Sequence, residues 1–252
     1  MNEPRRPVTT VNTAVEIIDA LVGSPDQTLS EISQQVGLAE STTHRHLATL
    51  VQNDLVVRDE DTYRLSFRFL DIGTQSQHQH PLYTAGREYI DSLADETGER
   101  VWLATCENGF SVSLYWASDR NPLHQHSRIG TRHHLHMSSP GKAMLAELSD
   151  EEVRSIIEKH GLPPQTEDTI TDEEQLSGEL DEIRERGYAT SRNETVEGMS
   201  AVAVSVSDEV SGILGAIGIG CSTSRMTEDR QKRFASRLLE TADEMAIRTR
   251  FS

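Results

Sequence analysis

Lysine is nearly absent from this sequence. Lys142, Lys159 and Lys232 are the only three of its 24 basic residues that are not arginine, and 41 aspartates and glutamates leave a formal net charge of −17 over 252 residues. Such a chain lacks the broad basic patch on which phosphate binding ordinarily rests. Two readings of the imbalance stay open. One is a surface charged for solubility in very high salt, a halophilic habit that scarce lysine beside abundant carboxylate fits; the other is an acidic face for a specific partner. Cysteine is scarce too. Cys106 and Cys221 have no metal-type spacing, which argues against a disulfide scaffold and for a reducing cytoplasm. No apolar run reaches 18 residues, so no membrane span is expected. The start, Met1-Asn2-Glu3-Pro4-Arg5-Arg6, lacks the apolar core of a signal peptide. The length suits two domains of ordinary size.

What is present begins with helical periodicity. Residues 1–9 read as a disordered tail. Val11, Ala14, Val15, Ile17, Ile18, Leu21 and Val22 then mark one amphipathic helix, ended by Gly23-Ser24-Pro25-Asp26. Thr28-Leu29-Ser30-Glu31 is a capping box that opens a second helix, with Ile32 and Val36 inward and Gly37 as its stop. After the short turn 37–40 comes Glu40-Ser41-Thr42-Thr43-His44-Arg45-His46-Leu47-Ala48-Thr49-Leu50. Two short helices joined by a glycine-containing turn are a helix-turn-helix signature. In the second of them Leu47, Leu50 and Val51 face a core, leaving the polar first turn and Arg45 free to reach a major groove. Strands at 55–58 and 63–65, joined by Asp59-Glu60-Asp61-Thr62, read as a wing.

A helix over 66–80, with Phe67, Phe69, Leu70 and Ile72 as its apolar set, meets Pro81 and is expected to fray or kink there; another follows over 82–97. The period then changes to two. A hairpin over 100–106 and 110–117 turns at Glu107-Asn108-Gly109. Further strands are expected at 123–128, 133–137, 188–192, 199–207 and 213–221. Helices are expected at 139–148, 150–160, 173–186 and 224–250, the last starting near Thr227. The fold class is therefore α+β: a winged helix-turn-helix over 1–67, a linker helix over 68–81 and a second domain over 82–252 with a mostly antiparallel sheet.

Three segments resemble the IclR-type transcriptional regulators. They are Leu29-Ser30-Glu31-Ile32 through Leu50; Ile129-Gly130-Thr131-Arg132 with Leu135-His136-Met137-Ser138-Ser139-Pro140-Gly141-Lys142-Ala143-Met144-Leu145-Ala146; and Arg186-Gly187-Tyr188 with Glu194, Gly198, Val202-Ala203-Val204-Ser205-Val206 and Ser224-Arg225-Met226-Thr227. The resemblance runs along nearly the whole chain. It implies a C-terminal effector-binding domain of GAF-like architecture, regulation of a catabolic pathway, and a homodimer or homotetramer on palindromic double-stranded DNA operators.

DNA contacts are expected from Ser41, Thr42, Thr43, His44 and Arg45, with Arg64 in the wing on phosphate. The structural alternatives are that Ser41 and Thr42 cap the helix and that Arg45 pairs with Glu40 or Asp54. His46 is expected toward the core. The N-terminus of helix 139–148, at Ser139-Pro140-Gly141, is a natural anion site, and the resemblance implies that it receives an effector's carboxylate. It also implies effector contacts at Ser191, Met199, Gly218 and Gly220. Here the chain departs from the family's best-known small-acid binder: Ser191 stands for an acidic residue, and the two glycines for serines. The departures suggest more room and a larger ligand, a sugar acid or sugar before an aromatic acid; alternatively, the glycines serve close strand packing. Lys142 reads equally as a ligand contact or an exposed helix-face residue. His124, His126, His133, His134 and His136 invite a metal, yet no Cys, Asp or Glu recurs at ligand spacing, so no metal and no cofactor are assigned. Catalysis is not supported either: Gly198-Met199-Ser200-Ala201-Val202 lacks the second glycine of a nucleophile elbow, and the glycines of 215–220 have the wrong order for a dinucleotide loop. The remaining rival is a GAF-like signalling protein that binds a small molecule but no operator.

Overall fold

The structure, a computed structural model, describes residues 7–118, 128–208 and 212–250. The chain divides into two compact units, Met1–Ser76 and Gln77–Ser252.

In the first unit, α1 (Thr9–Gly23), α2 (Leu29–Val36) and α3 (Glu40–Gln52) pack around Ile17, Leu21, Ile32, Leu47, Leu50, Val56 and Tyr63. The capping box forms as expected: the Thr28 side chain accepts from the Glu31 amide, and the Glu31 carboxylate accepts from the Thr28 amide at 2.8 Å. Gly37 takes φ +68, the left-handed conformation that closes α2 and turns the chain toward α3. The wing is β2 (Val56–Asp59) and β3 (Thr62–Leu65). A short strand that the sequence does not announce, β1 (Gln27–Thr28), pairs with β3 to complete a sheet ordered β1-β3-β2.

Part of each of two apolar sets faces solvent. Ile17, Ala20 and Leu21 carry the buried face of α1, while Val11, Val15 and Val22 are 58, 49 and 52 % exposed. Phe67 and Leu70 are 79 and 67 % exposed, at and within α4 (Arg68–His78), a helix with no buried residue. That helix straddles the division between the units, and α5 (Pro81–Thr97) restarts with Pro81 in its first turn, where a missing N–H costs nothing.

The second unit is built on one antiparallel sheet of six strands, ordered β6-β5-β4-β9-β8-β7. The strands are β4 (Arg100–Glu107), β5 (Phe110–Ala117), β6 (Arg132–His134), β7 (Ala189–Arg192), β8 (Met199–Asp208) and β9 (Gly212–Ser222). Alternation assigns the two faces. Val101, Leu103, Val202, Val204, Ile217 and Ile219 bury against α5 and the long α9 (Glu228–Thr249), which is capped by Thr227 as expected. The opposite face carries small residues, Ala201, Ala203, Ala216, Gly218 and Gly220, so that α6 (Ser139–Ala146) can lie close to the strands. Helices α7 (Asp150–His160) and α8 (Glu173–Arg186) complete that layer. The expected strand 133–137 ends early: a 3-10 turn over Leu135–Met137 delivers the chain to α6. The expected strand 123–128 falls, except for Arg128, outside the described residues. Among the described residues, no helix is long and apolar enough to cross a membrane.

Candidate functional site

The first candidate is the solvent face of α3. The helix starts at Glu40 after Ala39, with no side-chain cap, so Ser41 and Thr42 lie within the first turn rather than capping it. Ser41, His44 and Arg45 are exposed, and Thr42 and His46 are half-buried. Thr43 does not belong with them. It is 0 % exposed, and its hydroxyl donates to the Ala39 carbonyl at 3.3 Å, because its position aligns with Leu47 and Leu50 on the core stripe. Among the described residues no ion pair holds Arg45, so neither Glu40 nor Asp54 takes it from solvent. Arg64 is half-buried on β3, its guanidinium 3.4 Å from the Leu65 carbonyl.

The second candidate is a cavity of about 120 Å³ on the α6 side of the large sheet. Its floor comes from Arg100, Trp102 and Ala104 of β4, with Ser111 and Ser113 of β5 and His133 of β6 beside them. Ser138, Ser139 and Pro140 form one wall; Ser191, Thr195, Val196 and Met199 face them from β7 and the following loop. Among the described residues, no aspartate or glutamate lines it. Ser138 caps α6 by accepting from the Gly141 amide at 3.3 Å. The Ser139 hydroxyl is wholly buried and, among the described residues, finds no hydrogen-bond partner; nor does the buried Ser113 hydroxyl across the cavity. A buried hydroxyl left unpaired carries a desolvation cost that a ligand atom would remove.

Of the residues expected to contact an effector, Ser139, Pro140, Ser191 and Met199 line the cavity together. Gly141, Gly218 and Gly220 do not. A Cβ on Gly141 would lie 2.1 Å from the Leu135 carbonyl oxygen, so this glycine permits close passage of the 3-10 turn. A Cβ on Gly218 would meet the Val202 carbonyl at 3.1 Å and Pro140 Cγ at 3.4 Å; one on Gly220 would meet the Trp102 ring at 2.5 Å. A side chain at either position would therefore press on Trp102, Val202 or Pro140, which supports the close-packing alternative. Trp102, His133, Ser113, Thr195 and Val196 also line the cavity and do not stand out in the sequence. The only signal for Trp102 is the alternation that puts it on the Ala104 face of the hairpin.

Lys142 is neither exposed nor in the cavity: it is 1 % exposed and ion-paired. The histidines form a cluster without metal geometry. His134 lies 5.7 Å from His136 and 5.1 Å from Phe110, ring to ring, and Phe110 lies 4.5 Å from His160. His136 Nε2 is 3.1 Å from the Pro163 carbonyl, and His160 Nε2 is 2.9 Å from that of Asn108. Among the described residues no group of three or more His, Cys, Asp or Glu could hold an ion; His124 and His126 lie outside them.

Burial holds the imidazoles of His133, His134 and His136 below their ordinary pKa of 6.5, with neighbouring positive charge as a lesser cause. The sign follows from the unfolded chain, whose histidines take up protons first as pH falls past 6.5. Stability present above that value is lost from there down through the lowered folded values. For His136, the most buried, the slope is at most about 1.4 kcal/mol per pH unit. The thermal midpoint should therefore fall between pH 7 and 5.5, and His136→Gln should flatten that fall. A midpoint level across this range contradicts the burial argument.

Comparison with known proteins places both candidates in a shared context. Residues 10–60 match the family model described as the IclR helix-turn-helix domain, and residues 74–247 match the one described as the bacterial transcriptional regulator IclR C-terminal domain. The chain is 30 % identical over 228 residues to a Halobacterium salinarum protein named Probable HTH-type transcriptional regulator ArcR, covering 89 % of this chain and 86 % of that one. It is 28 % identical over 228 residues to the HTH-type transcriptional regulator KdgR of Escherichia coli, covering 90 and 86 %. Among solved structures, an IclR homolog from Microbacterium hydrocarbonoxydans, described as complexed with 4-hydroxybenzoate, superposes with a TM-score of 0.82 at 21 % identity over 96 % of this chain and 100 % of that one.

Proposed function

The chain belongs to the IclR family of transcriptional regulators, and on that premise we propose that Ser41, Thr42, His44 and Arg45 read an operator while the cavity beneath α6 holds a small carboxylate effector. Membership makes it a DNA-binding regulator with an effector-binding domain rather than an enzyme. The finer assignments rest on geometry. The observation that carries the effector site is the Ser139 hydroxyl, buried at the N-terminus of α6 in a cavity where, among the described residues, it finds neither a partner nor an acidic side chain. Helix N-termini favour anions, and a carboxylate oxygen would satisfy that hydroxyl.

The effector class follows from what fills the space. The preference for a sugar acid rests on room left by Gly218 and Gly220, and Trp102 occupies part of that room. A flat ring acid stacked on the indole therefore competes with a sugar acid. The neighbour complexed with 4-hydroxybenzoate supports including that class.

Homo-oligomerisation accounts for the apolar faces of the first unit. Val11, Val15 and Val22 of α1, with Phe67 and Leu70, are covered if a second copy packs there, pairing two recognition helices on a palindrome. Ligand that binds two arrangements of the pair unequally shifts operator affinity. A regulator working this way acts in the cytoplasm, where its operator is.

The test is an operator shift assay with thermal denaturation, run at high KCl with gluconate, galacturonate, benzoate and 4-hydroxybenzoate. At least one carboxylate should raise the midpoint and change operator affinity, whereas its amide should do neither. Ser139→Ala should weaken that carboxylate about 10- to 100-fold, the worth of one hydrogen bond to a charged group. An effector whose affinity ignores Ser139→Ala places its site elsewhere.

A further inference from the structure

A buried ion pair joins the two segments that carry the walls of the cavity. Lys142 stands in the first turn of α6, its Nζ 2.9 Å from Glu194 Oε1 and 2.8 Å from Oε2. Glu179 of α8 lies 3.7 Å from the same ammonium and is itself held by Arg186 at 2.9 Å. Ser138, Ser139 and Pro140, which line one wall, precede Lys142 on its segment with only Gly141 between. Thr195 and Val196, which line the other, immediately follow Glu194. Further bonds seat the same loop: the Glu194 carbonyl accepts from Thr169 at 2.7 Å and Thr166 at 3.2 Å, and the Thr195 hydroxyl donates to the Met137 carbonyl at 2.7 Å.

Stability alone does not explain the pair. Withdrawing an ammonium and a carboxylate from water costs several kcal/mol for each ion, and apolar groups of similar volume commonly do as well or better. Burial drives the Glu194 carboxyl above its ordinary range, against the pull of Lys142. What the pair does supply is a fixed distance between two segments that come from far apart in the sequence.

We propose that Lys142 and Glu194 form a latch that holds loop 193–198 against the start of α6, closing the cavity and fixing Ser139 relative to Thr195 and Val196. Both are positioning residues; neither lines the cavity. The functional consequence rests on the reading of this cavity as the effector site, but the latch itself can be tested without a ligand.

The experiment uses the full chain with Trp116→Phe, which leaves Trp102 as the only tryptophan. Lys142→Met combined with Glu194→Gln removes both charges, so neither is left buried alone. The thermal midpoint should stay within about 3 °C of the parent, roughly 1 kcal/mol for a unit of this size. Meanwhile the amides of Asn193 and Met199, which donate to Met199 and Val196 carbonyls, should exchange about tenfold faster. Acrylamide should quench Trp102 about twice as strongly once the loop opens. Thr195→Val, which cuts the bond to Met137 but keeps the latch, should leave loop exchange within about twofold. The proposal is overturned by a double variant that does not fold, by exchange rising evenly through the second unit, by unchanged loop exchange and quenching, or by Thr195→Val loosening the loop as much as the double variant. A ligand arm uses gluconate and 4-hydroxybenzoate. If the loop loosens but neither acid binds the parent, the effector reading loses its probes while the latch stands. If one binds the double variant as tightly as the parent, the latch does not set the cavity and the proposal fails.

Discussion

Arg45→Ala should lower operator affinity about 5- to 150-fold, the equivalent of 1–3 kcal/mol for a lost base-edge contact. The size of the effect comes from how few substitutes the unit offers. Residues 1–67 carry ten acidic side chains against five arginines, of which Arg5 and Arg6 precede the described residues. Arg58 is turned back on the wing, its Nε bonded to the Glu60 carbonyl at 2.9 Å. Arg45 is exposed on α3 and spends no part of its guanidinium on an ion pair among the described residues. A planar fork of donors there can grip a guanine edge in a way that Lys cannot, so Arg45→Lys should recover only part of the loss. Arg64→Ala should weaken all sequences alike, as a phosphate contact does. The salt slope should be shallow as well. At molar salt the Debye length is roughly 3 Å, which leaves counterion release little to contribute. Fluorescence anisotropy on operator and scrambled duplexes from 0.2 to 2 M KCl reads all three effects. Unchanged operator affinity in a folded Arg45→Ala protein removes α3 from the interface.

The parts of this molecule legible in the sequence are those decided locally. The Thr28 to Glu31 capping box, the Gly37 stop and the Asn108-Gly109 hairpin depend on residues a few positions apart, and each forms as read. Ser139 and Pro140 are legible for the same reason, since a helix N-terminus announces itself by its own residues. The misreadings share another cause: each depends on what packs opposite. Lys142 looks solvent-facing in isolation, but α6 is sandwiched between the sheet and α8, so all but one residue of Ser139–Ala146 is buried, and the ammonium must find carboxylates inside. At Gly220 the sequence shows open space, and only the register that sets β9 beside β4 brings the Trp102 ring over it. The valines of α1 continue the apolar period of Ile17 and Leu21 yet stand exposed, because hydrophobic period alone does not say which part of a stripe the neighbouring helices cover. Thr43 is the converse: a polar residue in a polar turn, yet on the core stripe by one step of helical phase.

The second large effect should come from a single methyl group at Gly141. Its Cβ would lie 2.1 Å from the Leu135 carbonyl oxygen and 2.7 Å from the carbonyl carbon and Cα. All three are backbone atoms, so no side chain can rotate away. Leu135 is itself 2 % exposed, packed in the cluster formed with Ala143, Met144 and Leu145, so the 3-10 turn has nowhere to retreat. Overpacking of this kind costs about 1–3 kcal/mol, and more where backbone must move. For a unit of this size that lowers the midpoint by about 2–12 °C. The displacement would fall on Ser138 to Pro140, which line the cavity, so effector affinity should drop even in the fraction that stays folded. Gly178 supplies the control. It sits within α8, where a methyl group added at its Cα would meet nothing within 4 Å, and alanine there should raise stability by about 0.5–1 kcal/mol through helix propensity alone. Calorimetry of the two variants should therefore move the midpoint in opposite directions. Equal midpoints would mean that the approach of Leu135 to α6 is loose enough to admit a methyl, and that the wall carrying Ser139 is not rigidly placed.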